Sequence, residues 1–331
     1  MAPNTLQEQL VKHLTDAHSI EQQAAVQMQI APRIAGDSEL AGHFSRHLIE
    51  TKDHERRVRE RLQALGASPS TLKDLAGQVT GVGFALFAKF NPDTPGKLVA
   101  HGYSYEHMEL AAYALLGRVA ERAGDEQTAT MAREIGAQEQ AMAERLAHSF
   151  DRAVEASLRA KSPDDISDQV NKYLEDAHAL EGQSIALLEK GPKLAGHGEL
   201  ARIYEEHLTE TREHQRLVAE RLAQRGASPS KVKDAALRLG ALNWGMFFAA
   251  QPDTPAKLAG FAYAVEHLEA AAYELLSRVA ARAGDRETEQ LAQRILAEEH
   301  AAGRRVHDHF DEAVTAGLAE QGVANTSEVH P

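Results

Sequence analysis

Residues 40–65 read LAGHFSRHLIETKDHERRVRERLQAL, and the spacing within this stretch decides the fold class. Leu40, Phe44, His47, Thr51, His54, Val58 and Leu65 follow the three- and four-residue steps of one face of an α-helix, not the alternation of a strand. The helix is expected to start near Asp37, a residue type that caps helix N-termini, and to end at Gly66 with Ser68 and Pro69 beyond it. Two histidines occupy this apolar stripe, with Glu50 beside them.

The neighbouring segments read the same way. Upstream, Thr5 and Glu8 form a capping-box pattern, and Leu10, Leu14, Ala17, Glu21, Ala24 and Met28 make a stripe expected to end at Pro32. Downstream, Thr94 and Pro95 supply N-cap and first-turn residues for a third helix, whose stripe is Leu98, Gly102, Glu106, Glu109, Tyr113 and Leu116, closed by Gly124. Asp125 caps a fourth helix with the stripe Ile135, Glu139, Met142, Leu146 and Phe150, which fades into a charged linker around Ala160 to Asp165. Short turns join the first helix to the second and the third to the fourth, which favours antiparallel neighbours. The stretch Ala67 to Asp93 between the second and third suits one long crossover. Its apolar piece Gly77 to Phe90 is too short to span a bilayer and is read as a helix or strap packed on the bundle, with a membrane-surface or partner-docking patch as the alternative.

The pattern then repeats. Glu21 matches Glu181, and 181 − 21 gives a shift of 160 that also carries Leu14 to Leu174, His47 to His207, Glu109 to Glu269 and Phe150 to Phe310 without an insertion. RERLQALGASPS from Arg59 returns as AERLAQRGASPS from Ala219, and NPDTPGKL from Asn91 as QPDTPAKL from Gln251. The apolar crossover piece returns at Leu237 to Ala250, with Trp244 and Phe247. The expectation is an all-α chain of two tandem four-helix bundles, residues 1–160 and 161–318, followed by a disordered tail, 319–331. The fusion is expected to form an internal pseudo-dimer with approximate two-fold symmetry.

Composition agrees. A chain of 331 residues is comfortable for two domains, each able to bury its own core. Lys and Arg number 36 against 49 Asp and Glu, a formal charge of -13, which argues against nucleic-acid and anionic-membrane surfaces and suits metal cations. Cysteine is absent, so thiolate sites and disulfides are excluded and only histidine and carboxylates remain as strong metal donors. The N-terminus has no basic segment leading into an apolar run, and the chain is read as cytoplasmic, with no transmembrane segment.

The residues that interrupt the stripes carry the chemistry. Glu21, Glu109 and Glu139 stand at inward positions on three helices, Glu106 lies one turn before Glu109, and the second helix adds His47, His54 and Glu50. Converging buried carboxylates destabilise a bundle unless a cation lies between them, and carboxylate with neutral imidazole suits iron first and manganese second. The shift of 160 repeats the set at Glu181, His207, Glu210, His214, Glu266, Glu269 and Glu299, so two equivalent dimetal sites are expected. His18 and His107 are read as supporting or surface residues, and Tyr113 and Tyr273 as core residues whose hydroxyls reach a ligand carboxylate.

The phrases HLIETKDHERRVRERL, YEHMELAAYALL and REIGAQEQAMAERL, with HLTETREHQRLVAERL, VEHLEAAAYELL and RILAEEHAAGRRV in the second copy, resemble the YciE/YciF group of bacterial ferritin-like stress proteins almost end to end. The resemblance implies a ferritin-like bundle with a dinuclear metal site. One departure stands out: such sites typically carry Glu-x-x-His on the second and fourth helices, whereas this chain has Glu50-x-x-x-His54, and Met142 or Ala302 where the fourth-helix histidine would be. Either His47 or His18 replaces it, or the second metal is held weakly. The expected function is a non-haem dimetal protein that oxidises Fe(II) or consumes O2 or H2O2 in stress protection. The alternative is a non-enzymatic metal-sequestering or scaffold bundle, and a third reading makes the acidic cluster a structural relic.

Overall fold

The structure, a computed structural model, describes residues 5–68, 94–195, 198–234 and 254–323. The helices found in these residues are α1 (Leu6–Ile34), α2 (Ser38–Ala64), α3 (Thr94–Arg122), α4 (Glu126–Ala147), α5 (Phe150–Leu158), α6 (Pro163–Leu188), α7 (Gly191–Ala195), α8 (Glu199–Gln224), α9 (Thr254–Ala283), α10 (Arg286–Asp308) and α11 (Phe310–Glu320). Among the described residues no strand occurs, and no helix is long and apolar enough to cross a membrane. The crossover pieces Gly77 to Phe90 and Leu237 to Ala250 lie outside the described residues, as does 324–331 of the expected tail. Ala319 and Glu320, at the start of that tail, are helical.

The chain divides into two compact units near Ser157, with residues 318–331 grouped with the first. In the first unit α1 packs on α2 and α3, and α4 packs on both of those, so the four long helices close a ring around one interior. Cross-helix bonds give the directions. His18 meets Glu55 while Tyr105 reaches the Ile20 carbonyl and His101 reaches Gln27, so α1 runs antiparallel to both α2 and α3. Arg61 binds Asp125 and Arg145 binds Glu50, so α2 and α4 are antiparallel too. Consequently α2 and α3 run the same way on opposite corners. The second unit repeats the ring with α6, α8, α9 and α10.

The helix ends follow the sequence signals. Thr5 and Glu8 form the capping box, Asp37 accepts from the Glu39 and Leu40 amides, and Asp125 accepts from the Thr128 amide. Gly66 and Gly124 take the left-handed conformation, at φ 72° and 69°, that closes a helix without a Cβ penalty. Pro32 departs from expectation: α1 continues to Ile34, because the donor it lacks falls in the last turn, where little helix remains to disrupt. In the second unit the same position is broken. Helix α6 stops at Leu188 and α7 starts at Gly191, just before Pro192, where α1 has Ala31 instead of the glycine. A second cap has migrated: the α8 N-cap, Gly198, has no side chain to offer, and Glu312 of α11 accepts from the Glu199 and Leu200 amides in its place.

Candidate metal centre

Each of the four long helices of the first unit delivers a donor to one interior level. Glu21 comes from α1, His47 and His54 from α2, Glu106 and Glu109 from α3 and Glu139 from α4, and all six are fully buried. Their ligand atoms form two groups that could each hold a metal ion: His47, Glu106, Glu109 and Glu139, and then Glu21, His54 and Glu139. Glu139 belongs to both. Its Oε2 lies 3.2 Å from His47 Nε2 and its Oε1 lies 2.7 Å from His54 Nδ1, so its two oxygens face the two groups.

These contacts are close, yet they are not hydrogen bonds. Among the described residues, His47 Nε2, His54 Nδ1, both oxygens of Glu106, Glu109 and Glu139, and Glu21 Oε2 are buried without a hydrogen-bond partner. Buried polar atoms left unsatisfied cost free energy, so donors crowded within 4.8 Å of one another fit a bound cation. The donor set has no thiolate and combines hard carboxylate oxygens with imidazole nitrogens, a mixture that could hold a divalent metal ion.

Electrostatics in the cation-free site point the same way. Burial, with Glu139 adding repulsion, raises Glu21 to about 8, against smaller opposing effects of His54 and Tyr113. Burial likewise raises Glu106 to about 7 despite His47, and pushes Glu109 well above the carboxylate range. Glu139 goes the other way: burial opposes its ionisation, but His47 and His54 together hold it at about 2. Burial disfavours the charged form of His54, and the neighbouring Glu139 overrides it, raising that imidazole to about 9. Only one of the four carboxylates is thus easily ionised until a cation replaces the protons.

A further set of contacts orients the donors. His47 Nδ1 meets Glu50 Oε2 at 2.9 Å, on the ring edge away from the cluster, and Arg145 binds the same oxygen at 3.2 Å. Glu50 and Glu210, expected as ligands, therefore stand outside the groups, partly exposed, and hold the histidine instead. His54 Nε2 meets Gln138 Oε1 at 2.5 Å, Tyr113 donates to Glu21 Oε1 at 2.5 Å, and Thr51 donates to the His47 carbonyl. His18 is engaged by Glu55 at 2.8 Å and His107 by the Tyr103 carbonyl at 2.7 Å; neither joins a group. Of the two histidines weighed for the absent one on α4, His47 is the one inside the cluster, and the Met142 side chain fills core.

The second unit reproduces the arrangement with His207, Glu266, Glu269 and Glu299, and Glu181, His214 and Glu299. Glu299 Oε1 lies 2.7 Å from His214 Nδ1, while Oε2 faces His207 Nε2 at 3.7 Å. Tyr273 donates to Glu181. Three surroundings differ: Glu298 replaces Gln138 on the outer nitrogen of His214, Ser184 replaces Ala24 and donates to Glu269 at 2.8 Å, and Tyr204 replaces Phe44. Gln138 was not legible as a support, because a polar residue beside Glu139 reads as surface. Ser184 and Tyr204 were legible in principle, as hydroxyls gained at buried stripe positions under the shift of 160.

One protein-family model, described as "Domain of unknown function (DUF892)", matches residues 5–159 and again 166–319. The chain belongs to this family. The DUF892 match covers the chain twice, so the chain holds two copies of the family domain, and each copy carries a full set of donors. No solved structure matches the chain.

Proposed function

We propose that each DUF892 copy is a ferritin-like four-helix unit holding a dinuclear non-haem metal site, iron first and manganese second, and that the protein oxidises Fe(II) or consumes peroxide or oxygen. The observation that carries this reading is Glu139, whose two oxygens face two separate donor groups, as a bridging carboxylate must. Four glutamates and two histidines per copy make up the donor inventory of ferritin-like dimetal carboxylate proteins. Here both histidines come from α2, and α3 supplies two carboxylates, which accounts for the absent fourth-helix histidine. Four ionised carboxylates also balance two divalent cations. Glu298 and Gln138 hold the imidazoles of His214 and His54, and Tyr113 and Tyr273 hold Glu21 and Glu181 in place. Bound metals of this type would supply one-electron redox chemistry and polarise an oxygen species. The protein's own residues fix the donors, exclude bulk water through full burial and give up the carboxyl protons that a cation displaces on loading. Resemblance to the YciE/YciF group supports a role in stress protection.

Elemental analysis after anaerobic loading tests the assignment. Two tightly held Fe or Mn ions per copy, four per chain, are expected, and fewer than one per copy would overturn it. If metal is held but air and peroxide leave its spectrum unchanged, sequestration replaces oxidation as the function.

A further inference from the structure

The two copies place the same donors behind different walls, and the difference concentrates beside Glu266. In the second unit Tyr204 takes the position of Phe44 and is almost fully buried, at 1% exposure, yet its hydroxyl has no hydrogen-bond partner among the described residues. A buried phenol normally finds a partner, so this hydroxyl stands as an unused donor. Tyr204 lines a small cavity together with Ser184, Gly191, Leu258, Phe261 and Glu266. The volume is about 20 Å³, room for one water-sized ligand. Glu266 is the charged group that acts on the Tyr204 hydroxyl, and Glu266 is itself a member of the donor group with His207. The cavity therefore abuts the donor cluster.

The helix beside the ring also differs between the two copies. A Cβ on Gly191 would sit 3.2 Å from Tyr204 Cδ2 and 3.3 Å from its Cβ and Cγ, tighter than ordinary packing. Its counterpart Ala31 carries a Cβ, and there α1 stays continuous where the second unit breaks at Gly191. Ser184, another cavity residue, spends its proton on Glu269 and leaves Tyr204 as the free donor.

We infer that the second copy has a binding site for one small hydrogen-bond acceptor, a water, hydroxide or similarly sized anion, beside Glu266 and held by the Tyr204 hydroxyl, and that the first copy, with Phe44 there, lacks it. The two centres are thus unequal: only the second offers a fixed hydrogen bond to an exogenous oxygen-type ligand. This inference rests on the dimetal reading.

The test uses fluoride, a single-atom acceptor that fits the cavity, titrated calorimetrically into full-length protein loaded with Fe(III). Glu109→Leu with Glu139→Leu confines iron to the second copy, and Glu269→Leu with Glu299→Leu confines it to the first. Iron content measured beforehand judges the dimetal reading separately; copies that take up no iron refute that reading and the inference with it. With iron bound, fluoride should bind the second copy at least tenfold more tightly than the first. Tyr204→Phe, which installs the residue the first copy already tolerates, should erase the difference, and Gly191→Ala, which presses on the ring, should reduce it. Equal affinities in the two copies, or a preference that survives Tyr204→Phe, would overturn the inference while leaving the metal sites intact.

Discussion

The Tyr113 hydroxyl donates to Glu21 Oε1 across 2.5 Å, from one turn beyond Glu109 on α3 to the middle of α1. Both groups are buried, so bulk water is kept from that oxygen. Tyr113→Phe should lower affinity for the ion of the Glu21 and His54 group by roughly tenfold, the lower end for loss of an orienting partner. It should also reduce stability by about 1–3 kcal/mol through the stranded acceptor. Chelator competition and thermal melts measure the two effects, and Tyr273→Phe should reproduce them in the second copy.

Replacing a central acid separates stability from binding. Glu109 has both oxygens buried without partners among the described residues, and burial with its acidic neighbours disfavours its ionisation in the cation-free protein. Glu109→Leu with Glu269→Leu should therefore raise the melting temperature in chelator, by an amount equivalent to about 1–4 kcal/mol. The same protein should lose most of the stabilisation that added metal gives the parent. A melt in which metal still stabilises the double variant fully would show these acids to be bystanders.

Metal uptake should release protons and tighten as pH rises. Burial raises Glu21 to about 8 and Glu106 to about 7, so near neutrality both hold protons that an incoming cation displaces. For a carboxyl whose folded pKa lies above its unfolded value, the native state binds more protons, so its contribution is intact below the unfolded pKa and is lost as pH climbs through the folded one. Metal-free protein should accordingly lose stability from about pH 5 to pH 8, the window between the unfolded carboxyl value and the raised pKa values, while loaded protein should not. Calorimetry in buffers of different ionisation enthalpy counts the protons, and pH-dependent melts follow the stability.

The cap at Asp125 carries a pH signature of the opposite sign. Burial works against its ionisation, but Arg61 and the Thr128 amide hold its carboxyl below the usual value. Stability from such a group is present above the unfolded pKa and is lost as pH falls through the folded one. Asp125→Ala should cost about 1 kcal/mol near neutrality, typical of a lost N-cap. The gap between variant and parent should close below about pH 4 in denaturant titrations.

Much of this was legible in the residues. Glu21, Glu109 and Glu139 occupy positions where their helices otherwise bury leucine and alanine, so periodicity alone turned them inward. His54 is seven residues from His47, which brings it back to nearly the same helix face, and both are buried. Glu50 is three residues from His47, about 60° off that face, and its pairing with Arg145 depends on which helix lies alongside. Sequence spacing does not state that neighbour, and so Glu50 was read as a ligand instead of a brace. Pro32 misled for a related reason: a proline's effect depends on how many turns follow it, and Ala31 against Gly191 tips two otherwise similar segments to different outcomes.

Placing both imidazoles on α2 makes that rod a ruler. Seven residues at about 1.5 Å each set the backbones of His47 and His54 roughly 10 Å apart along one axis, with the rings 6.5 Å apart between centroids, and loops have no say in the distance. Connections elsewhere in the chain can lengthen or change composition without disturbing the pair. A single residue inserted after Thr51 would swing His54 by about 100°, out of the interior, while His47 stayed where it is. Half of the centre would vanish from a helix that still folds.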